Sequence, residues 1–123
     1  MSDPVTASVL IVDDDPFICD AVQLILTGAG YTVRSANSGA SAIETVPTLM
    51  PDLILLDVRM PGINGLETLT ALRRAGVVVP ILMMTADNSP ATLQDVMSLG
   101  GSGYVQKPFD ADGLVARIGQ ALI

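Results

Sequence analysis

Short apolar segments alternate with stretches of helical periodicity along the chain, and this alternation limits the possible folds more than any other feature. The apolar segments comprise residues 8–12, 31–35, 53–56, 78–84 and 104–106. They are rich in aliphatic side chains at nearly every position, which is typical of strands buried on both faces. Strands of this kind that alternate with helices predict an α/β fold built on a parallel sheet.

The stretches between and after these segments carry start and stop signals for five helices. Helices are predicted over about residues 16–27, from 37 or 38 to 47, over 64–74, from 88 or 89 to 100, and after residue 110. Pro16 and Pro90 suit the first turn of a helix. Pro47 has no N–H to donate, so we expect the second helix to end or kink there.

Length and composition indicate one globular domain spanning residues 1–123. Half of the 123 residues are apolar, and no internal repeat or linker marks a boundary. The net charge of −7 argues against direct binding to nucleic acid or to an anionic membrane. The apolar segments are much shorter than the ~20 residues of a membrane-spanning helix. We therefore expect no membrane contact.

The cysteine and histidine counts restrict the compartment and the chemistry. Cys19 is the only cysteine and the N-terminus shows no secretory signal, so a cytoplasmic protein with a buried thiol is expected. The chain contains no histidine. Ser-His-Asp and Cys-His catalytic sites are therefore excluded, as is a phosphohistidine carrier.

Polar residues follow four of the five apolar segments directly. Asp13 and Asp14 follow the first, Asp57 the third, Thr85 the fourth and Lys107 the fifth. Ligands bind at the carboxyl ends of the strands in open parallel sheets. If these four strands are neighbours in the sheet, all five residues share one rim.

A carboxylate cluster at this rim predicts a metal site and an unusual nucleophile. Asp13, Asp14 and Asp57 would repel one another unless a cation neutralised them, and their oxygen ligands suit Mg²⁺, with Mn²⁺ as a substitute. An ionised Asp57 needs no general base to attack phosphorus. Lys107 and Thr85 would then hold the oxygens of the transferred phosphoryl group.

These residues lie in the motifs VLIVDDDP, LILLDVRMPGINGLE, ILMMTA and GYVQKPF. The motifs, with separations of 43, 28 and 22 residues between Asp14, Asp57, Thr85 and Lys107, resemble the receiver domain of bacterial two-component response regulators. The likeness covers the whole chain. It implies a flavodoxin-like (βα)5 fold of three layers, with a five-stranded parallel sheet in the order 2-1-3-4-5.

The resemblance also assigns roles to the rim residues. It implies that Asp57 is the phosphoacceptor, that Asp14, Asp57 and the Arg59 carbonyl ligate Mg²⁺ directly, and that Asp13 holds the metal through water. Lys107 would pair with the phosphoryl group and precede a cis bond to Pro108.

Two further positions match a switch in the same family. Thr85 matches the switch hydroxyl, and Tyr104 the aromatic ring that moves inward when the hydroxyl shifts. Without the family likeness, Tyr104 reads equally well as a half-buried strand residue. Gly65 is expected to adopt a backbone conformation closed to other residues.

The resemblance implies a regulatory domain that catalyses its own phosphorylation and dephosphorylation. The phosphoryl donor would be a histidine kinase or a histidine phosphotransfer protein. The readout surface would comprise the fourth and fifth helices and the fifth strand, facing a protein target or an attached output domain. This surface carries few charges, so we expect a monomer in the unphosphorylated state.

Other functions stay open at this point. A Mg²⁺-dependent phosphohydrolase with an aspartyl nucleophile usually has a second carboxylate two residues on, where this chain has Arg59. A flavin-binding module would need a Ser/Thr/Gly phosphate loop after the first strand. A phosphate-independent interaction domain is also consistent with the residues. We expect no output domain after the last helix, and the sequence does not decide between a stand-alone protein and an excised module.

Overall fold

The computed structural model describes residues 7–60, 62–87 and 89–123. Strands and helices alternate strictly along the described chain. In order they are β1 (Ser8–Val12), α1 (Pro16–Gly28), β2 (Thr32–Ala36), α2 (Gly39–Leu49), β3 (Leu53–Asp57), α3 (Gly65–Arg74), β4 (Ile81–Thr85), α4 (Pro90–Ser98), β5 (Gly103–Gln106) and α5 (Ala111–Ala121). The predictions that involve Pro61, Asn88 and the first six residues lie outside the described residues.

The five strands form one parallel sheet in the order β2-β1-β3-β4-β5, which confirms the predicted α/β class and the topology implied by the resemblance. In register, Val12 pairs with Leu56 and Asp57 with Met84. The strands therefore end together at one edge of the sheet. None of the helices in the described ranges has the length and hydropathy needed to cross a membrane.

Helices cover both faces of the sheet and divide the core in two. One half holds Val9 and Ile11 of β1 together with side chains of α1 and α5. The other half holds Leu10 and Val12 together with side chains of α2, α3 and α4. Because successive strand residues point to opposite faces, both halves need apolar side chains, which explains the continuously apolar segments in the sequence.

Two of the boundaries that differ from the sequence-based expectation involve a proline. The fourth strand begins at Ile81 rather than at residue 78: Val78 is 87% exposed, and Pro80 has no N–H to add to the sheet. The second helix does not end at Pro47 but continues to Leu49. Pro47 lacks the N–H that would bond to the Ile43 carbonyl, and the helix extends two residues beyond it.

Candidate functional site

The carboxyl ends of four strands bring the predicted site residues to one rim. Asp57 and Thr85 are the last residues of β3 and β4, while Asp13 and Lys107 directly follow β1 and β5. The Asp13 amide donates to the Ala36 carbonyl, and the Lys107 amide donates to the Thr85 carbonyl. These bonds extend the sheet ladder by one residue and fix where both side chains leave the backbone.

Three carboxylates lie close together at this rim. Asp13, Asp14 and Asp57 each offer an oxygen, and the three oxygens lie within 4.8 Å of one another. Asp13 is 1% exposed and Asp57 is 6% exposed, whereas Asp14 is open to solvent. Hard oxygen donors with one side open to water are the donor set that Mg²⁺ prefers, so the cluster fits this ion.

Lys107 bridges the two buried carboxylates. Its Nζ atom lies 3.1 Å from Asp13 Oδ2 and 3.3 Å from Asp57 Oδ1. Burial alone would lower the pKa of Lys107, but the neighbouring Asp57 and Asp13 raise it above the ordinary value. The ammonium therefore stays charged at neutral pH. A single cation among three carboxylates leaves an excess of negative charge at the site.

The pKa of Asp57 is raised. Burial is the main cause and the charge of Asp13 adds to it, while Lys107 and the Arg59 amide act in the opposite direction. The Arg59 amide donates to Asp57 Oδ1 over 3.3 Å. The ionised carboxylate is thus held in an environment that favours its neutralisation, either by a proton or by a cation.

The three consecutive aspartates after β1 have different roles. The Asp13 carboxylate accepts a hydrogen bond from the Asp15 amide, which orients it toward Lys107. Asp15 is the N-cap of α1, where its Oδ1 accepts from the Phe17 amide at 2.9 Å. Helix capping thus accounts for Asp15, and it leaves Asp13 and Asp14 for the cluster.

Thr85 lies at the rim, but its hydroxyl points along its own loop. Thr85 Oγ1 donates to the Asp87 carbonyl and accepts from the Asp87 amide, both at 2.9 Å. Because a hydroxyl has one proton, Thr85 cannot at the same time donate to a group on Asp57. Tyr104 is 37% exposed on β5, so its side chain is partly open to solvent.

Gly65 packs closely against the backbone of Asp57, the candidate phosphoacceptor. The expectation of an unusual backbone conformation is wrong, because positive φ values occur at other glycines, such as Gly62 at 77°, and not at Gly65. A Cβ atom at Gly65 would overlap the Asp57 carbonyl oxygen and would lie 2.7 Å from Val58 Cα. The absence of a side chain therefore lets α3 begin directly against the end of β3.

Two other expectations near the site agree with the structure. The Cys19 thiol is buried and donates to the Asp13 carbonyl, and burial is the main cause of its raised pKa. The peptide bond between Lys107 and Pro108 is cis.

Sequence reasoning missed a hydrogen-bond network in the loop after β4. Asp87 Oδ1 accepts from the Ser89 amide and Asp87 Oδ2 accepts from the Thr92 hydroxyl, both at 2.9 Å. Ser89 is also the N-cap of α4, with its side chain accepting from the Thr92 amide. Ser89 and Pro90 predicted where this helix begins, but no sequence pattern tied either residue to Asp87.

Comparisons with known proteins give consistent matches over most of the chain. Residues 9–119 match the family model described as the response regulator receiver domain. The transcriptional regulatory protein ZraR of Escherichia coli is 40% identical over 114 residues, which cover 93% of this chain and 26% of that protein. The DNA-binding response regulator MtrA of Mycolicibacterium smegmatis is 37% identical over 116 residues, which cover 94% of this chain and 50% of that protein.

Solved structures show the same architecture. The chemotaxis protein CheY4 of Vibrio cholerae superposes with a TM-score of 0.92 at 34% identity, covering 96% of this chain and all of that one. A response regulator from Chloroflexus aurantiacus, described as putative, gives a TM-score of 0.89 at 35% identity, covering 96% of this chain and 98% of that chain. Sequence, fold and site geometry therefore lead to one identification: the chain belongs to the response regulator receiver domain family of two-component systems.

Proposed function

We propose that the chain is a phosphorylation-controlled switch in which Asp57 accepts a phosphoryl group from a phosphohistidine. The donor would be a histidine kinase or a histidine phosphotransfer protein in the cytoplasm. The observation that carries the proposal is the ammonium of Lys107 between Asp57 and Asp13, with an Asp14 oxygen within 4.8 Å of both carboxylates.

The transfer would use the Asp57 carboxylate as the nucleophile, with no general base. An Asp57 oxygen attacks phosphorus, the bond from phosphorus to the imidazole nitrogen breaks, and its electron pair stays on the imidazole. The product is an acyl phosphate on Asp57. The carboxylate needs no general base, so catalysis consists of alignment and charge neutralisation. Lys107 lies where it can pair with a phosphoryl oxygen once the group is present.

A divalent cation completes this arrangement. Asp14, Asp57 and the Arg59 carbonyl would hold Mg²⁺ directly and Asp13 through water, with Mn²⁺ as a substitute. Bound there, the ion would supply positive charge against the developing charge of the phosphoryl group. Asp14 is the solvent-exposed member of the cluster.

The switch would run from Thr85 to the surface formed by α4, β5 and α5. Thr85 would exchange its bond to Asp87 for one to the phosphoryl group, and Tyr104, which is now partly exposed, would move into the vacated space. This surface would face a protein target or an attached output domain. We propose a monomer in the unphosphorylated state.

The expectation that nucleic acid is not a partner is not supported. MtrA is named a DNA-binding response regulator, and the chain spans half of its length and about a quarter of ZraR. The net charge of −7 argues only against DNA contact by these 123 residues. The attached output domain that this chain would regulate can therefore be one that binds DNA.

Intact mass spectrometry after incubation with Mg²⁺ and acetyl phosphate tests the proposal. We expect one added phosphoryl group, lost in Asp57→Asn and on chelation of the metal, and retained in Asp20→Asn, a change at an exposed α1 aspartate. No adduct on the wild-type chain would favour a phosphate-independent interaction domain. Multiple-turnover hydrolysis of a small phosphomonoester would favour a phosphohydrolase.

A further inference from the structure

The loop between β4 and α4 connects Thr85 at the phosphorylation rim to the first turn of α4. The connection runs through Asp87 and Thr92, which have no part in the proposed phosphoryl transfer. The buried Thr85 hydroxyl gives its proton to the Asp87 carbonyl and accepts from the Asp87 amide. The Thr85 hydroxyl and the Asp87 backbone therefore cannot separate without breaking two hydrogen bonds.

The Asp87 carboxylate fastens the same residue to the first turn of α4. Its two oxygens accept from the Ser89 amide and from the Thr92 hydroxyl, each at 2.9 Å. These bonds, with the Ser89 amide as the largest cause and Thr92 next, lower the pKa of Asp87. The carboxylate is therefore ionised at neutral pH, and hydrogen bonds to a charged acceptor are stronger than neutral ones.

The two ends of α4 are held in different ways. At the C-terminal end, Arg73 Nε donates to the Gly100 carbonyl at 2.9 Å, and the Gly101 amide donates to the Val96 carbonyl at 2.8 Å. Val96 is the buried residue of this helix, and a Cβ atom at Gly101 would lie 2.5 Å from its Cγ1 atom. The C-terminal end of α4 is packed tightly. The hydrogen bonds of Asp87 to Ser89 and Thr92 therefore fix the position of the N-terminal end.

We infer that Thr92 and Asp87 are positioning residues that hold the Thr85 hydroxyl away from Asp57 in the unphosphorylated protein. Thr92 acts through the Asp87 carboxylate, and Asp87 acts through its backbone on Thr85. A phosphoryl group that recruits the Thr85 hydroxyl must break this arrangement, which releases the first turn of α4. The inference rests on the proposed function, because it assumes that Thr85 moves toward a group on Asp57.

The energetic consequence has a definite sign. Bonds made only in the unphosphorylated arrangement stabilise it, so they weaken the binding of any ligand that needs the other arrangement. Thr92→Val keeps the shape of the side chain but removes the donor to Asp87 and the acceptor of the Ser89 hydroxyl, which donates to Thr92 Oγ1 at 3.1 Å. Thr92→Ser restores the hydroxyl and is the matched control. Asp87→Asn weakens the same contact from the other side, since an amide offers one acceptor atom in place of two.

Beryllium fluoride with Mg²⁺, which mimics an aspartyl phosphate without being hydrolysed, provides the probe. Its dissociation constant is measured by titration monitored through the amide NMR signals of Thr85 and of α4. Thr92→Val and Asp87→Asn should each bind the analogue about three- to tenfold more tightly than wild type, and Thr92→Ser within about twofold. The double variant Asp87→Asn/Thr92→Val should bind the analogue little more tightly than either single variant, because both changes weaken the same contact between Thr92 and Asp87.

The outcomes separate this inference from the proposed function. If the wild-type chain binds the analogue and Thr92→Val binds it no more tightly, the inference is wrong while the proposed function stands. Fully additive gains in the double variant would also contradict it. Failure of the wild-type chain to bind the analogue would overturn both. Thermal unfolding of each variant checks folding, and Asp87→Asn carries the test if Thr92→Val does not fold.

Discussion

The Lys107 ammonium lies 3.1 Å from Asp13 Oδ2, although the two residues are 94 positions apart in the chain. This contact joins the loops after β1 and β5, and the same Nζ atom also lies 3.3 Å from Asp57 Oδ1. One lysine therefore pairs with both buried carboxylates at this rim.

Replacing Lys107 by methionine should destabilise the metal-free protein at neutral pH by about 1–3 kcal/mol, because it leaves Asp13 and Asp57 buried without a counter-charge. Urea unfolding in a chelating buffer measures the loss. Mg²⁺ should restore more stability to the variant than it adds to wild type. Arg34→Met, an exposed change on β2, should stay within about 0.5 kcal/mol. Equal losses in the two variants would contradict the role given to Lys107.

The raised pKa of Asp57 predicts a pH dependence with a definite sign. The folded protein binds a proton on the Asp57 carboxyl more tightly than the unfolded chain does, because the pKa of Asp57 is higher in the folded state. The stability that this difference contributes is fully present below the unfolded pKa of 3.8 and is lost as pH rises through the folded pKa. Asp57→Asn has no such titration. In chelating buffer, the stability of wild type relative to Asp57→Asn should therefore fall as pH rises from 3.8 toward neutral. A constant difference over that range would show that burial does not perturb Asp57.

Mg²⁺ should stabilise the folded chain against urea, by about 2.7 kcal/mol at a concentration one hundred times its dissociation constant. Asp14→Asn should lose most of this effect, because Asp14 belongs to the carboxylate cluster. Asp15→Asn is the matched control: asparagine caps helices as well as aspartate does, and Asp15 caps α1. If both variants lost the Mg²⁺ effect equally, the metal site would have to include Asp15.

Gly65→Ala should cost about 1–3 kcal/mol and also weaken Mg²⁺ binding, because the new Cβ atom would push α3 away from the end of β3 where Asp57 lies. Gly119→Ala, inside α5, meets no atom within 4 Å and should raise stability by up to about 1 kcal/mol. Unfolding curves with and without Mg²⁺ measure both effects. If Gly65→Ala changed neither the unfolding free energy nor Mg²⁺ binding, α3 would be able to shift without disturbing the site.

Most of the architecture could be predicted from the sequence because apolar runs and helix signals are local. The limits of β1 and the starts of α1, α3 and α5, each to within one residue, follow from residues that lie next to each other. The strand order came from family resemblance, since periodicity alone does not say which strands are neighbours. A proline disfavours the preceding helical turn but does not set the last residue of a helix, so Pro47 alone could not locate the end of α2 at Leu49.

The site was predictable as a set of residues but not as a geometry. Strand ends locate Asp13, Asp57 and Lys107 at one rim, yet only the structure shows that one ammonium reaches both carboxylates. The direction of the Thr85 hydroxyl depends on side-chain rotamers in its loop, which no sequence pattern encodes. For the same reason the contact between Asp87 and Thr92 came from the structure alone.

The central claim is that Asp57 carries the phosphoryl group, and locating the modified residue tests it most directly. The chain is incubated with acetyl phosphate and Mg²⁺ and treated with borohydride, which reduces an aspartyl phosphate to homoserine, and its peptides are sequenced by mass spectrometry. We predict homoserine at position 57, absent when the metal is chelated. Homoserine at position 13 or 14 with an intact aspartate at 57, or no reduced residue at all, would contradict the account.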